Sequence, residues 1–434
     1  AAGGGGGDAV IDEQEKRQKD WMEAFLNKAK TLTIADFMNM FMQIRMRQEH
    51  MRGDELFCAN VAVHPNHYIR NRYRDILPYD KNRVLIGTAA LENAEGYVNA
   101  SHVSLPHGLT TFIAAQAPLP QTLDDFWQMV DEQGVRLVVM LCKLVEMSKV
   151  KCERYWPERV GATEVYGAYE ITLEKEERFE DDEYLLRTLT MRCMKEGGAA
   201  PRTIHQLHYK EWPDHGCPTG SSQLLNMVDR MAELAGSIEV PKTATPAAAN
   251  ASSVPLPSNG NGSPEATKER PPVLVHCSAG VGRTGTIILI NHIRELILQK
   301  LCINVHLLDM VVALREQRSS MVQTQDQFQF VHRCVVTYFR RALGLPEMED
   351  GGELPPPPPY VTSMAGGSGG HPKLPMTGGR GGGGAGSKKE SMEESEDDDE
   401  DTDFEDDTAT AAPDYPEEPT RAPRGAEDLN SSSC

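Results

Sequence analysis

The chain has nine cysteines in 434 residues but no C-x-x-C pair, and no Cys/His spacing of the kind that holds zinc. An odd, scattered set of thiols suits a reducing compartment, with most of them buried as small apolar groups, so the expected location is cytoplasmic. No apolar run approaches the ~18 residues that a membrane helix needs, and no membrane span is expected. Positive charge is in short supply: 44 Lys and Arg stand against 64 Asp and Glu, a net charge of −20. Such a chain is poorly suited to nonspecific nucleic-acid binding, which neutralises phosphates with Lys and Arg. The excess negative charge is uneven, since residues 391–408 hold twelve acidic side chains and no basic one. The nucleotide-phosphate loop G-x-x-x-x-G-K-[ST] is also missing, which argues against nucleotide hydrolysis.

What is present divides into one folded region, 11–343, and stretches of low complexity. Residues 1–10 are Gly-rich and expected to be disordered. Trp21, Met22, Phe25, Leu26 and Ala29 then recur at helical spacing. Thr33 with Asp36 reads as a helix N-cap ahead of Ile34, Phe37, Met38 and Phe41, a face expected to cover a core. The stretch Arg70-Asn71-Arg72-Tyr73-Arg74-Asp75 is either a solvated charge cluster or an aromatic flanked by cations on a pocket rim. Strands are predicted at 84–86, 97–103 and 111–117, followed by a helix over 121–133. Residues 135–141 form a continuous apolar run, as in a strand buried on both faces. Alternating polarity over 163–173, 184–194 and 203–209 predicts antiparallel strands. Further helices are expected at 219–235, 286–300 and 324–341. The last is preceded by Arg315-Glu316-Gln317-Arg318. Many strands followed by several helices give an α/β fold of the α+β kind: one domain with a central twisted mixed sheet flanked by helices.

Two segments do not fit that domain. Residues 236–270 are rich in Ala, Ser, Pro, Thr and Asn. They far exceed the ~12–15 residues at which structureless loops become uncommon, and they read as a disordered insertion. Residues 344–434 read as a disordered Pro/Gly-rich and acidic tail. Within it Pro355–Pro359 could form a polyproline II ligand for an SH3- or WW-type partner, against the plainer reading of a solvated linker.

The chemistry concentrates in His276-Cys277-Ser278-Ala279-Gly280-Val281-Gly282-Arg283-Thr284-Gly285. An apolar run, Val273-Leu274-Val275, leads in, and an apolar helix leads out. A Gly-rich loop between strand and helix turns successive N–H groups inward and adds the positive end of a helix dipole, which makes an anion site. A cysteine attacks only as thiolate, and inward amides, a helix N-terminus and the nearby Arg283 favour that form. Arg283 can hold two phosphoryl oxygens with its planar fork, and that pairing strengthens as the phosphoryl group flattens in the transition state. Thr284 can donate a hydrogen bond to Cys277 as it leaves. The span Glu211-Trp212-Pro213-Asp214-His215-Gly216 reads as a structural turn or as a loop that carries an acid to this site.

His276 to Gly285 resembles the signature of the tyrosine-specific, cysteine-dependent protein tyrosine phosphatases. Other stretches match that family in the same order. Asn71 to Asp75 resembles its phosphotyrosine-recognition loop, and Tyr97-Val98-Asn99-Ala100-Ser101 and Gln116-Ala117-Pro118-Leu119 resemble its core strands. Lys151 to Pro157 after Glu146 resembles the loop behind its active site. Trp212-Pro213-Asp214 resembles its mobile acid loop, and Gln323-Thr324-Gln325-Asp326-Gln327 its glutamine loop. The resemblance covers about Trp21 to Arg341.

By position, the resemblance implies that Cys277 attacks phosphorus and that Asp214 is the general acid and then the base. Gln323 positions water with Gln327 near it, and Arg283 binds the phosphoryl group, oriented by Glu146 with Lys151 in support. The loop residues Ser278, Ala279, Gly280, Val281 and Gly282 bind phosphate. Tyr73 sets the pocket depth that selects phosphotyrosine, Asp75 holds the peptide backbone, and His276 tunes the thiol. It implies phosphotyrosyl proteins as substrates, with no metal or other cofactor. The alternative is a catalytically weak phosphotyrosine-binding scaffold. Three positions depart from the family pattern: the 236–270 insertion, Ser320 where Gly is frequent at the pocket mouth, and Cys217 where an aliphatic residue is usual. Ser320 is expected to narrow access for some substrates.

Overall fold

The computed structural model describes residues 5–87, 96–179, 184–197, 200–213, 216–218, 220–238, 270–301 and 306–346. Most of the 236–270 insertion, and the tail from residue 347 with its Pro355–Pro359 run, lie outside the described residues. The chain opens with helices α1 (Gly5–Ala29) and α2 (Ile34–Met51). Thr33 and Asp36 close a capping box at the start of α2. The threonine hydroxyl accepts from the Asp36 amide, and the Asp36 carboxylate accepts from the Thr33 amide. Then follow β1 (Arg83–Leu85), β2 (Tyr97–Val103), β3 (Phe112–Ala115), α3 (Leu123–Glu132) and β4 (Leu137–Met140). A small hairpin of β5 (Val145–Glu146) and β6 (Lys149–Val150) precedes β7 (Thr163–Tyr166), β8 (Tyr169–Phe179), β9 (Tyr184–Cys193) and β10 (Arg202–Tyr209). The last elements are α4 (Ser222–Ser237), β11 (Val273–His276), α5 (Gly282–Leu298), α6 (Leu307–Arg315) and α7 (Gln325–Ala342).

Nine strands join in the order β1-β2-β3-β11-β4-β10-β9-β8-β7. The four in the middle, β3, β11, β4 and β10, are parallel, and the flanks are antiparallel. Leu137, Val139 and Leu141 pack on one side with the apolar faces of α4 to α7, while Val138 and Met140 pack on the other with Phe126 and Trp127 of α3. Both faces are covered, which is why this run shows no alternation in the sequence. The parallel centre brings the C-terminal ends of β11, β4 and β10 to one edge, with His276, Met140 and His208 in register. Ligand sites of open α/β sheets form at that edge.

The structure departs from the sequence expectations in several places. The run 163–173 is two strands, broken at Gly167, where φ is +56° and a methyl group would lie 2.6 Å from Asp124 Cβ. Helix α1 starts at Gly5, inside the stretch 1–10, because extending a docked helix is far cheaper than nucleating one. Ile34 and Met38 do not cover the core: they are 38% and 54% exposed, while Phe37 and Ile44, two turns apart, are buried. Helix α6 was not anticipated, since its largely apolar sequence carries little amphipathic contrast. Among the described residues, no helix is long and apolar enough to cross a membrane. The seven described cysteines are free thiols, and four of them are buried.

Candidate active site

Strand β11 ends at His276, and the chain turns directly into the loop that opens α5. Cys277 is 5% exposed. Its Sγ accepts hydrogen bonds from the Gly280 amide at 3.3 Å and the Thr284 hydroxyl at 3.4 Å. The loop is clamped from both sides. Gly280 has φ +73°, and a methyl group there would lie 2.1 Å from the Ala115 carbonyl oxygen at the end of β3. A methyl group on Gly285 would lie 2.6 Å from the Val322 amide nitrogen. Neither position accommodates a side chain without moving backbone.

A fully buried arginine shapes the same loop. Arg318 donates from Nε to the Gly280 carbonyl at 2.9 Å and from Nη2 to the Ala279 carbonyl at 3.0 Å. It also reaches Asn99 Oδ1 at 2.8 Å and Ser101 Oγ at 3.2 Å. The two loop carbonyls are thus taken away from Cys277, while the Gly280 amide faces the sulfur. Sequence reasoning gave Arg318 no role. A cation in a polar string looks like solvated charge, and nothing local marks it as buried.

Arg283 makes a bidentate pair with Glu146, Nη1 to Oε1 at 2.6 Å and Nη2 to Oε2 at 2.9 Å. Glu146 sits on the β5–β6 hairpin and also accepts from the Lys143 amide at 3.0 Å. Burial alone would lower the pKa of Arg283, but the hydrogen bonds and charge of Glu146 outweigh it and hold the pKa above the ordinary arginine value. Arg283 Nη1 also donates to the Leu141 carbonyl at 3.0 Å, and Nη2 to the Pro213 carbonyl at 3.4 Å. The buried Trp212 ring lies 5.9 Å from the guanidinium, and its Nε1 donates to the Gly216 carbonyl. Asp214 lies outside the described residues. Pro213, before it, is within reach of Arg283.

Tyr73 comes to the loop from the other side and is half-buried. Its hydroxyl lies 2.8 Å from Ser278 Oγ, which donates to the Lys151 carbonyl at 3.1 Å. Lys151 therefore enters through its backbone. Burial pushes the Tyr73 phenol pKa up, so the ring stays neutral. The residues before it act as struts. Arg72 donates to the Ala117, Pro118 and Val150 carbonyls, and Asn71 accepts from the Tyr97 hydroxyl and the Asn99 amide. Asp75 is exposed beyond them. On the far side, a methyl group on Gly282 would lie 2.8 Å from the Gln327 amide and 3.2 Å from Gln323 Oε1, so both glutamines border the loop. Gln327 Oε1 accepts from the Gln323 amide at 2.8 Å, and Gln327 belongs to the α7 capping box with Thr324. Ser320, at φ +59°, adopts the left-handed conformation that favours Gly.

His276 does not touch the sulfur. Its Nδ1 donates to the Cys277 carbonyl at 3.1 Å, and its Nε2 accepts from the Tyr155 hydroxyl at 2.8 Å, the arrangement of a neutral ring. Gln206 Nε2 donates to the same hydroxyl at 2.6 Å. Burial pushes His276 and His332 down to about 4 and His208 down to about 3. In the unfolded chain these groups protonate near the ordinary ~6.5. As pH falls below ~6.5 the unfolded chain therefore takes up protons that the folded chain refuses. Stability should drop between about pH 6.5 and 4, by up to ~1.4 kcal/mol per pH unit for each histidine, and be insensitive to them above 6.5. The urea midpoint should accordingly be lower at pH 5 than at pH 7, and equal midpoints would contradict this.

Among the described residues no cluster of His, Cys, Asp or Glu could hold a metal. The arrangement can bind a tetrahedral oxyanion between loop amides and a guanidinium fork, and present a sulfur nucleophile to it. A family sequence model described as protein-tyrosine phosphatase matches residues 67–337. Tyrosine-protein phosphatase non-receptor type 18 of Homo sapiens is 35% identical over 284 residues, which cover 65% of this chain and 54% of that protein. Non-receptor type 4 of Homo sapiens is 33% identical over 342 residues, 78% of this chain but 32% of that protein. The chain thus spans well under two thirds of either relative. The solved catalytic domain of the human type 18 protein superimposes with a TM-score of 0.58 at 31% identity, covering 70% of this chain and 97% of that one.

Proposed function

Because the chain belongs to the protein-tyrosine phosphatase family, we propose that it hydrolyses phosphotyrosine in proteins through a phosphocysteine intermediate. The observation that carries this reading is Cys277 Sγ, held by the Gly280 amide and the Thr284 hydroxyl, on a loop whose arginine is fixed by Glu146. The Cys277 thiolate attacks phosphorus, the bond to the tyrosyl oxygen breaks, and Asp214 gives that oxygen its proton. Water positioned by Gln323 then loses a proton to Asp214 and attacks phosphorus. The P–S bond breaks, phosphate leaves, and Thr284 stabilises the departing thiolate. Arg283 binds the phosphoryl oxygens throughout, and the half-buried Tyr73 supports selection of the long phosphotyrosine side chain.

A scaffold that only binds phosphotyrosine would be signalled by loss of Cys277, Arg283 or Asp214, and all three are present. Asp214→Ala is expected to slow hydrolysis of a phosphotyrosyl peptide by about 10²–10⁴ while the peptide still binds. Undiminished turnover would refute the role of Asp214. A wild-type chain that hydrolyses no phosphotyrosyl peptide would sink the enzyme reading itself.

A further inference from the structure

A second concavity, of about 400 Å³, lies past the C-terminal ends of β4 and β10, lined there by Lys143, His208 and Lys210, and takes no part in the steps above. Five cationic side chains line it, Lys143, Arg154, Arg178, Arg187 and Lys210, against two carboxylates, Glu158 and Glu176. In a chain of net charge −20 this is a local reversal of sign. Both carboxylates are already engaged: Glu176 with Arg187 at 2.8 Å and Arg178 at 3.5 Å, and Glu158 with Arg154 at 3.2 Å. Among the described residues, Lys143 and Lys210 have no ion pair. The floor is rigid. The Arg187 guanidinium lies 4.5 Å from the centre of the Trp156 ring and donates to Gln206 Oε1 at 2.8 Å and His208 Nδ1 at 3.1 Å, while His208 Nε2 donates to the Cys142 carbonyl.

The sheet places this concavity relative to Cys277. Strands β11, β4 and β10 are parallel neighbours in register, and Cys277 follows β11 as Lys210 follows β10. Two strand spacings of ~4.8 Å put the two backbones roughly 10 Å apart along one edge. An extended peptide covers ~3.3–3.6 Å per residue, so a peptide held at Cys277 reaches the concavity within about three to five residues. The two are also joined internally, since Gln206 bonds Arg187 on one side and, through the Tyr155 hydroxyl, His276 on the other.

We propose that the concavity is an oxyanion subsite for the substrate peptide, taking a carboxylate or a second phosphate about three to five residues from the phosphotyrosine. This rests on the reading of the chain as a phosphotyrosine hydrolase. A cleft lined by one sign of charge concentrates the opposite sign, and with the arginines engaged by Glu176, Glu158, Gln206 and His208 it is the ammonium groups of Lys143 and Lys210 that are left to meet an oxyanion.

The test uses the full chain and three phosphotyrosyl peptides that carry glutamates, phosphoserine or glutamines at that spacing. A simple aryl phosphate is the control. At least one charged peptide should show a kcat/KM roughly tenfold above the glutamine peptide, through KM, with the ratio shrinking as salt rises. Which charged peptide gains tells carboxylate from phosphate. In Lys143→Gln/Lys210→Gln the ratio should fall to about one with aryl phosphate turnover unchanged. A ratio of one in the wild type, or one that survives the double substitution, overturns the proposal. Equilibrium binding of the same peptides to the Cys277→Ser chain decides the subsite even without turnover. Failure to hydrolyse the aryl phosphate would count only against the hydrolase reading.

Discussion

Cys277→Ser is expected to lower turnover of a phosphotyrosyl peptide by a factor on the order of 10⁴–10⁶ and to leave peptide binding nearly intact. The substitution exchanges one atom in a site whose shape is set by others. Gly280 and Gly285 remain wedged against Ala115 and Val322, and Arg318 still holds the carbonyls of Ala279 and Gly280. The oxygen can keep the bonds from the Gly280 amide and the Thr284 hydroxyl. What is lost is the polarisable sulfur that serves as nucleophile, and as leaving group of the second step, in the proposed mechanism. Steady-state hydrolysis together with calorimetric titration of the peptide checks both halves. Turnover at the wild-type rate would remove Cys277 from the mechanism, and lost binding would show that the sulfur holds the loop together.

Arg283→Lys should cut kcat by roughly 10³-fold or more although the charge is kept. The wild-type guanidinium donates through Nη1 and Nη2 to Glu146 and to the Leu141 and Pro213 carbonyls. In the proposed reaction Nε–H, with the Nη2–H now in the long 3.4 Å bond to Pro213, would meet the phosphoryl oxygens. An ammonium cannot grip both Glu146 oxygens and two phosphoryl oxygens in one plane. Arg283→Ala would go further, leaving Glu146, with 5% of its side chain exposed, without its counter-charge. Breaking such a buried pair costs about 3–5 kcal/mol. Comparing the two variants by kcat and by denaturant midpoint separates lost geometry from lost charge. If lysine supports wild-type kcat, the fork has no role in the transition state.

Much of this site is legible in the sequence because its central part is contiguous. Strand, loop and helix around Cys277 lie within some thirty residues, and local pattern suffices to place them. The Thr33 cap and the doubly buried β4 are local for the same reason. The supporting parts are not. Arg318 is defined by contacts with Asn99, Ser101 and the Cys277 loop, up to 219 positions away, and no periodicity encodes that. The β5–β6 hairpin has two residues per strand, too few for alternation to register, yet it carries Glu146. Asn71 and Arg72 look like solvated polar residues but serve as struts under Tyr73. In α2 the apolar residues are too numerous for one face, so the pattern does not show that Phe37 turns inward and Met38 outward.

The place of β11 bears on how the protein comes to be folded at all. It lies between β3 and β4, pairing Val273 with both Phe112 and Leu137. Those strands are already made when more than a hundred residues of chain must still follow before their common neighbour exists. Until it arrives, the middle of the sheet is an unfilled slot with two apolar, hydrogen-bond-hungry edges, the kind of surface that other chains join. Closing so long a loop is entropically late, and long-range pairing of this kind slows folding. The strand that fills the slot also delivers Cys277. Cys277 is therefore set in place by the strand that completes the sheet, and a chain made only as far as β4 does not yet contain it.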